Sequence, residues 1–233
     1  MIAILKRELS SYFNSAIAYI VMAVFFFFSG MYFAVCINYN SSDLSFVFAN
    51  MFMIILFLIP IITMKSFSEE KRQKTDQALL TSPVSLFEIV MGKFLGALTL
   101  YACCLSIFLF YTLIICFFTT PDWAIILCTF FGILLLGAAL IAIDIFISAL
   151  TESQVIAAIV SMAVGFFIYM LDSIASLSNS DFVLTITNAI SFNKNFSNFT
   201  YGILSLSNIV FFISVAAIFI FLTIRVFEKK RWG

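Results

Sequence analysis

Six long apolar runs, at residues 17–37, 46–64, 94–118, 124–150, 155–171 and 209–227, dominate this 233-residue chain. Run 17–37 is 21 residues long. At about 1.5 Å per residue it makes a helix of roughly 31 Å, the hydrocarbon thickness of a bilayer. Runs this continuous lack the period-two alternation of a membrane barrel strand. The first run is too long for the apolar part of a signal peptide, and no small-residue cleavage site follows it. The chain is 64% hydrophobic and 10% charged, against roughly a quarter charged for soluble domains. A core of this size cannot hide that much apolar surface. The sequence therefore predicts an all-α integral membrane protein, one domain over 1–233, with six spans.

The basic residues predict orientation. With the N-terminus inside, six spans return the C-terminus to the same side. Lys6, Arg7, Lys65, Lys71, Arg72, Lys74, Lys93, Arg225, Lys229, Lys230 and Arg231 then lie inside, 11 of the 12 basic residues, with Lys194 outside. This is the bias expected of cytoplasmic segments. Asp43, Asp122, Asp172 and Asp181 fall on the outer segments. The formal net charge is zero, and no basic face points to nucleic acid.

Against this background "EEKRQKTDQALLTSPVS", residues 69–85, carries six charges in seventeen residues. Two helices need only about two to eight residues to join them, and this connection uses far more. Ser66-Phe67-Ser68-Glu69 and Ser85-Leu86-Phe87-Glu88 both fit a capping box. Pro83 stops any helix between them. The surplus length points to a docking element. Its alternative is a solvated loop that merely satisfies the orientation rule.

Three other features stand out. Ile2, Leu5, Leu9 and Phe13 recur at helical spacing, which predicts an N-terminal helix lying at the inner interface. Phe192, Phe196, Phe199 and Ile203 predict an amphipathic helix on the outer side, either dipping into the leaflet or packing on the spans. Asp144 lies about six residues from the inner end of its run, roughly 9 Å deep. An intramembrane carboxylate is costly and invites a functional role. At that shallow depth the favoured reading is a hydrogen-bonding strut that reaches Ser148 or water, with a transport or gating role as the alternative.

The chain has no histidine, which excludes a His-ligated metal or a His general base. "EEKRQK" is similar to the E-E-x-x-x-R of the CAAX-type intramembrane proteases, but Lys74 replaces the arginine and the histidines are missing. The five cysteines lie in or at the ends of runs without a C-x-x-C, as small apolar residues do. Asn40, Asn195 and Asn198 form N-x-[ST] sequons, which matter only in a eukaryotic secretory pathway. No G-x-x-x-x-G-K-[ST] is present, so the sequence predicts no catalytic, cofactor or metal site on this chain.

"FSEEKRQKTDQALLTSPVSLFEIVMGKFLGAL" resembles the signature of the type-2 ABC exporter permeases, in the small single-domain branch typified by the gliding-motility and nitrous-oxide-reductase-maturation systems. "KRELSSYFNSAIAYIV", "FISALTESQVIAAI" and "FEKKRWG" are similar to that family's first amphipathic segment, its turn between spans four and five, and its C-terminal end. Ala16 and Lys74 stand where the pattern has Pro and Gly, and Asn195 and Asn208 where it often has His and Asp. The resemblance implies a coupling helix between spans two and three that docks in a separate ATP-binding subunit. Glu69, Glu70, Arg72, Thr75 and Asp76 would form its polar rim, with Leu79, Leu80 and Pro83 its apolar part. It also implies a second permease chain, ATP and magnesium held by the partner ATPase, and a bacterial cytoplasmic membrane. A channel or scaffold that needs no ATPase is the alternative, and it leaves the long polar connection unexplained.

Overall fold

The computed structural model describes residues 1–39, 44–75, 84–118, 120–176, 187 and 190–232. Among these residues the chain is helical, with no strand. Helix α1 (Ile2–Phe13) precedes α2 (Ala16–Asn38), α3 (Ser45–Thr63) and the short α4 (Ser68–Arg72). Then come α5 (Leu86–Leu105), α6 (Ile107–Phe118), α7 (Trp123–Leu150) and α8 (Gln154–Ser176). Helices α9 (Phe192–Thr200) and α10 (Leu206–Trp232) complete the order.

Six of these stretches are long and apolar enough to cross a membrane: α2, α3 with α4, α5 with α6, α7, α8 and α10. They coincide with the six apolar runs. The fifth is longer than expected, because α8 runs on through Asp172 and Ser173. Asp172 at that end accepts a 2.7 Å hydrogen bond from Ser191, so the carboxylate is partnered where the helix leaves the apolar zone. The third span breaks at Ser106, whose hydroxyl turns back to the Cys103 carbonyl at 2.7 Å.

Helix α7 is the axis of the bundle. Most of its residues from Thr129 onward are buried, and it packs against α3, α5, α8, α9 and α10. Its 28 residues reach about 42 Å, longer than the hydrocarbon layer. Asp122 caps it by accepting from the Ala124 and Ile125 amides at 3.0 and 3.4 Å, which satisfies amides that have no partner inside the helix. The outer helices α2, α8 and α10 leave large apolar side chains uncovered, among them Phe27, Ile159 and Phe221. That is the surface lipid requires.

The amphipathic segment expected on the outer side is helical, as α9. Phe192, Phe196 and Phe199 are buried, with Phe196 against Phe52 and Phe199 against Phe212. The Thr129 hydroxyl donates to the Phe199 carbonyl at 2.9 Å. Ile203 does not join that stripe. The helix ends at Thr200, Gly202 turns the backbone at φ +76, and Ile203 is exposed.

Candidate functional site

One end of the bundle, called the inner end after the orientation expected from the basic residues, is built where α1, the α3–α4 turn and α5 meet. Helix α1 rests on α5 because of Gly92 and Gly96, a G-x-x-x-G pair on α5. A Cβ on Gly92 would lie 2.8 Å from the Ile4 side chain, and one on Gly96 would lie 3.0 Å from Glu8 Cβ. Small residues at this spacing let two helices approach closely. The face of α1 so buried is Glu8 and Tyr12. The Ile2–Leu5–Leu9–Phe13 stripe is not the covered face, since Ile2 and Phe13 are exposed.

Lys93, between those glycines, is only 2% exposed. Its ammonium donates to Glu8 Oε1 at 3.0 Å, Glu70 Oε1 at 2.9 Å and the Ser66 carbonyl at 2.6 Å. An ammonium has three hydrogens, and all three are used here. The Phe67 ring lies 4.9 Å from the same nitrogen. Arg7 adds a second cation, 2.8 Å from Glu70 and 3.2 Å from Glu8. Burial works to lower the Arg7 pKa, but the two carboxylates outweigh it and hold the guanidinium above its ordinary value. Burial pushes the Tyr12 phenol up, and that hydroxyl donates to the Ile62 carbonyl at 3.2 Å. Two anions and two cations thus join three segments far apart in sequence.

Ser148, near the inner end of α7, roots the same turn from the other side. Its oxygen accepts from the Phe67 and Ser68 amides at 3.1 and 3.2 Å. The Lys71 ammonium donates to the Ala149 carbonyl, and the Phe67 ring meets Phe227 of α10 at 4.6 Å. The first of the two expected capping boxes is not used. Phe67 precedes α4, no side chain caps it, and the Ser68 hydroxyl turns back to the Met64 carbonyl. The turn carries α3 almost directly into α4, and Ser148 accepts from the Phe67 and Ser68 amides at its start. The second box does form, with Ser85 accepting from the Glu88 amide at 3.3 Å.

Of the expected docking residues, Glu69, Glu70 and Arg72 lie on α4, and Thr75 closes its end. Asp76, Leu79, Leu80 and Pro83 lie outside the described residues. The Thr75 amide bonds the Glu70 carbonyl at 2.9 Å and the Lys74 amide the Lys71 carbonyl at 3.1 Å. This pair of bonds is a Schellman motif, whose penultimate position is usually glycine. Lys74 occupies it at φ 57, the position where the resemblance places Gly. Glu69, Glu70 and Thr75 line a cavity of about 480 Å³ that Glu8, Tyr12 and Lys93 share. Beside it the buried Glu70 Oε2 and Ser66 Oγ have no hydrogen-bond partner among the described residues.

Asp144 stands apart from this cluster. It is 4% exposed, and the hydroxyls of Ser161 and Thr63 are its hydrogen-bond partners. Ser148 is committed to the α3–α4 turn. Leu56, Ile59, Pro60, Leu140 and Gly165 close the site, leaving no space for a water molecule. The carboxyl therefore joins α3, α7 and α8 within the bundle and does not reach water at the inner face.

Sequence reasoning placed Lys93 among the inner cations and did not foresee its partners. The available signal was the G-x-x-x-G pair around it together with Glu8 and Tyr12 at i, i+4. Among the described residues no group of three or more His, Cys, Asp or Glu has the arrangement of a metal site. No curated protein matches the chain. A family model described as ABC-2 family transporter protein matches residues 21–232. With six apolar helices under that match, the chain is a multi-pass membrane transport component, and it belongs to the ABC-2 transporter family.

Proposed function

We propose that this chain is the permease subunit of an ABC exporter in a bacterial cytoplasmic membrane. A separate subunit binds and hydrolyses ATP with magnesium, and two permease chains form the pathway. Family membership implies an ATP-binding subunit and a membrane as partners. The direction of transport and the pairing of permease chains are part of the proposal.

The observation that carries this reading is the Lys93 hub. Glu70, on the segment that leaves span two, is ionically bound to Lys93 within α5 and, through it, to Glu8 of α1. A push on residues 66–75 therefore moves the first turns of span three and the N-terminal helix together. Tight ionic and backbone anchoring of this kind suits an element that relays motion from a docked ATPase. In this proposal Leu79 and Leu80 supply the apolar anchor, with Glu69, Arg72 and Asp76 as the polar rim that sets register.

The test is co-purification followed by coupled ATPase and export assays. Leu79→Asp and Leu80→Asp put a charge into an apolar contact, at a cost of several kcal/mol. The variants are expected to insert normally and to lose the ATPase subunit or its coupling. Unchanged association together with unchanged export would sink the docking role. In intact cells, thiol labelling is expected at Ser180→Cys and not at Lys74→Cys.

A further inference from the structure

A trough runs between α5, α7 and α10, with a volume of about 520 Å³. Every side chain that lines it is apolar. Small residues open it, since Ala138 of α7 and Ala216 and Ala217 of α10 leave space between bulkier walls of Phe94, Leu98 and Phe221. On α10 it extends from Phe212 to Ile224, about 18 Å along the helix axis.

The end of the trough nearest the C-terminus is positively charged. The Arg225 guanidinium lies 4.9 Å from the ring of Phe221, a lining residue. Arg231 falls seven residues beyond Ile224, on the same stripe of the helix, and is exposed. Lys229 and Lys230 add to the local field. Two acids share this end. Glu228 pairs with Arg225 at 2.7 Å, and Glu88 with the N-terminal ammonium at 3.3 Å. Both pairs are well exposed, and exposed pairs are weak enough for a phosphate to replace.

We propose that this trough holds one acyl chain of an anionic phospholipid, with the headgroup phosphate on Arg225 and Arg231. An apolar slot for the tail and guanidinium groups at its mouth together match that chemistry, and basic pockets at the cytoplasmic ends of spans take such headgroups. A second copy of this chain fits the surface less well. Twofold pairing through α10 would set each basic cluster against its own image. Placement in the inner leaflet rests on the orientation proposed above, whereas the choice of headgroup does not.

The experiment uses the purified full chain in nanodiscs that contain equal phosphatidylglycerol and phosphatidylcholine, with retained lipid read by native mass spectrometry. Wild type is expected to keep one phosphatidylglycerol per chain in at least tenfold preference. Ala217→Trp, which fills the trough, is expected to lose it. Arg225→Ala with Arg231→Ala is expected to keep a bound lipid and lose the preference. Ile213→Trp, one turn earlier on the same face of α10, is a second blocking variant should Ala217→Trp fold poorly. Equal retention of the two lipids by wild type would overturn the proposal. So would loss of self-association, with no change in bound lipid, in the blocking variants, because that result assigns the trough to a second copy. Nanodiscs present the same lipids to both faces, so a failure here leaves the labelling test of orientation unaffected.

Discussion

Two buried polar centres near the C-terminal end of α3, one reaching the Ser66 carbonyl and the other Thr63, are stabilised by opposite means. At the inner end, Lys93 and Arg7 face Glu8 and Glu70, so every charge has a counter-charge within 3.2 Å. Deeper in the bundle, Asp144 has, among the described residues, the hydroxyls of Ser161 and Thr63 as partners and no cation. The first centre borders a cavity, while the second has no room for water. Desolvated charges need opposite charges as well as hydrogen bonds, and only the inner centre provides both. It is therefore suited to carry force between segments that move. The Asp144 centre is suited to hold three helices in one register.

The largest effect is expected from Lys93→Met. It removes the hub and leaves two carboxylates facing one another beside Arg7 alone. Breaking a buried ion pair from one side costs about 3–5 kcal/mol, which shows as a lower melting temperature of the detergent-solubilised protein. Adding Glu8→Gln and Glu70→Gln to Lys93→Met is expected to recover a large part of the loss, because the uncompensated charge has gone. A Lys93→Met protein as stable as wild type, or one that the added glutamines do not rescue, would show that the network is not the organising contact.

The apolar runs made the spans legible, since their length alone demands a bilayer. The ends of the spans were harder to read, and Lys93 shows why. As a cation before an apolar run it looked like an orientation signal, and the expected span began one residue later at Phe94. The helix starts at Leu86 behind the expected Ser85 cap, so Lys93 sits about 10 Å into it, on a stretch that packs against other helices. Its anions come from segments that no local pattern sets beside it: Glu70 of α4 and, from 85 residues away in sequence, Glu8 of α1. Helical spacing on α1 misled for a related reason. The Leu5–Leu9 stripe is the more hydrophobic face, but Gly92 and Gly96 admit the Glu8 face, where ion pairs outweigh apolar area. Lys74 was legible in part, because its difference from the expected glycine marks a left-handed backbone position. Thr63 and Ser161 as partners of Asp144 depend on how α3 and α8 cross α7, and no local pattern encodes that crossing.

Asp144→Leu is expected to cost less than Lys93→Met, about 1–3 kcal/mol. It strands the Ser161 hydroxyl in a site without water and pushes a branched side chain against Leu56 and Leu140, where packing leaves no slack. Ser161→Ala in the same background is expected to return part of the loss. If Asp144→Leu destabilised the protein as much as Lys93→Met, hydrogen bonds alone would hold the deeper centre as firmly as ion pairs hold the other, and the contrast between the centres would fail.

Lys74→Gly probes the inner end without touching its charges in the hub. A non-glycine residue in the left-handed region costs about 1–2 kcal/mol, partly offset by the greater freedom of glycine when unfolded. A gain of about 0.5–1 kcal/mol is expected, read as a higher melting temperature with the Lys93 contacts intact. A loss would mean that the lysine side chain contributes more than its backbone conformation costs.

Asp144→Asn is expected to have the smallest effect and discriminates most sharply. Asparagine keeps the size of the side chain and one carbonyl oxygen, so it can still accept from Ser161, while its amide can donate to the Thr63 oxygen. The Thr63 hydroxyl already donates to the Ile59 carbonyl at 3.0 Å, so its oxygen is better placed to accept than its hydrogen to be given away. Interhelical hydrogen bonds inside membranes are worth only about 0.6 kcal/mol on average, and the substitution rearranges such bonds without removing them. Stability, association with an ATPase subunit and export are therefore expected to remain within about 1 kcal/mol, or a few-fold, of wild type. An Asn variant that melts normally and keeps its ATPase but exports nothing would assign the Asp144 charge to the transport cycle. The deeper centre would then be a working part of the pathway, and its purely structural role would be refuted.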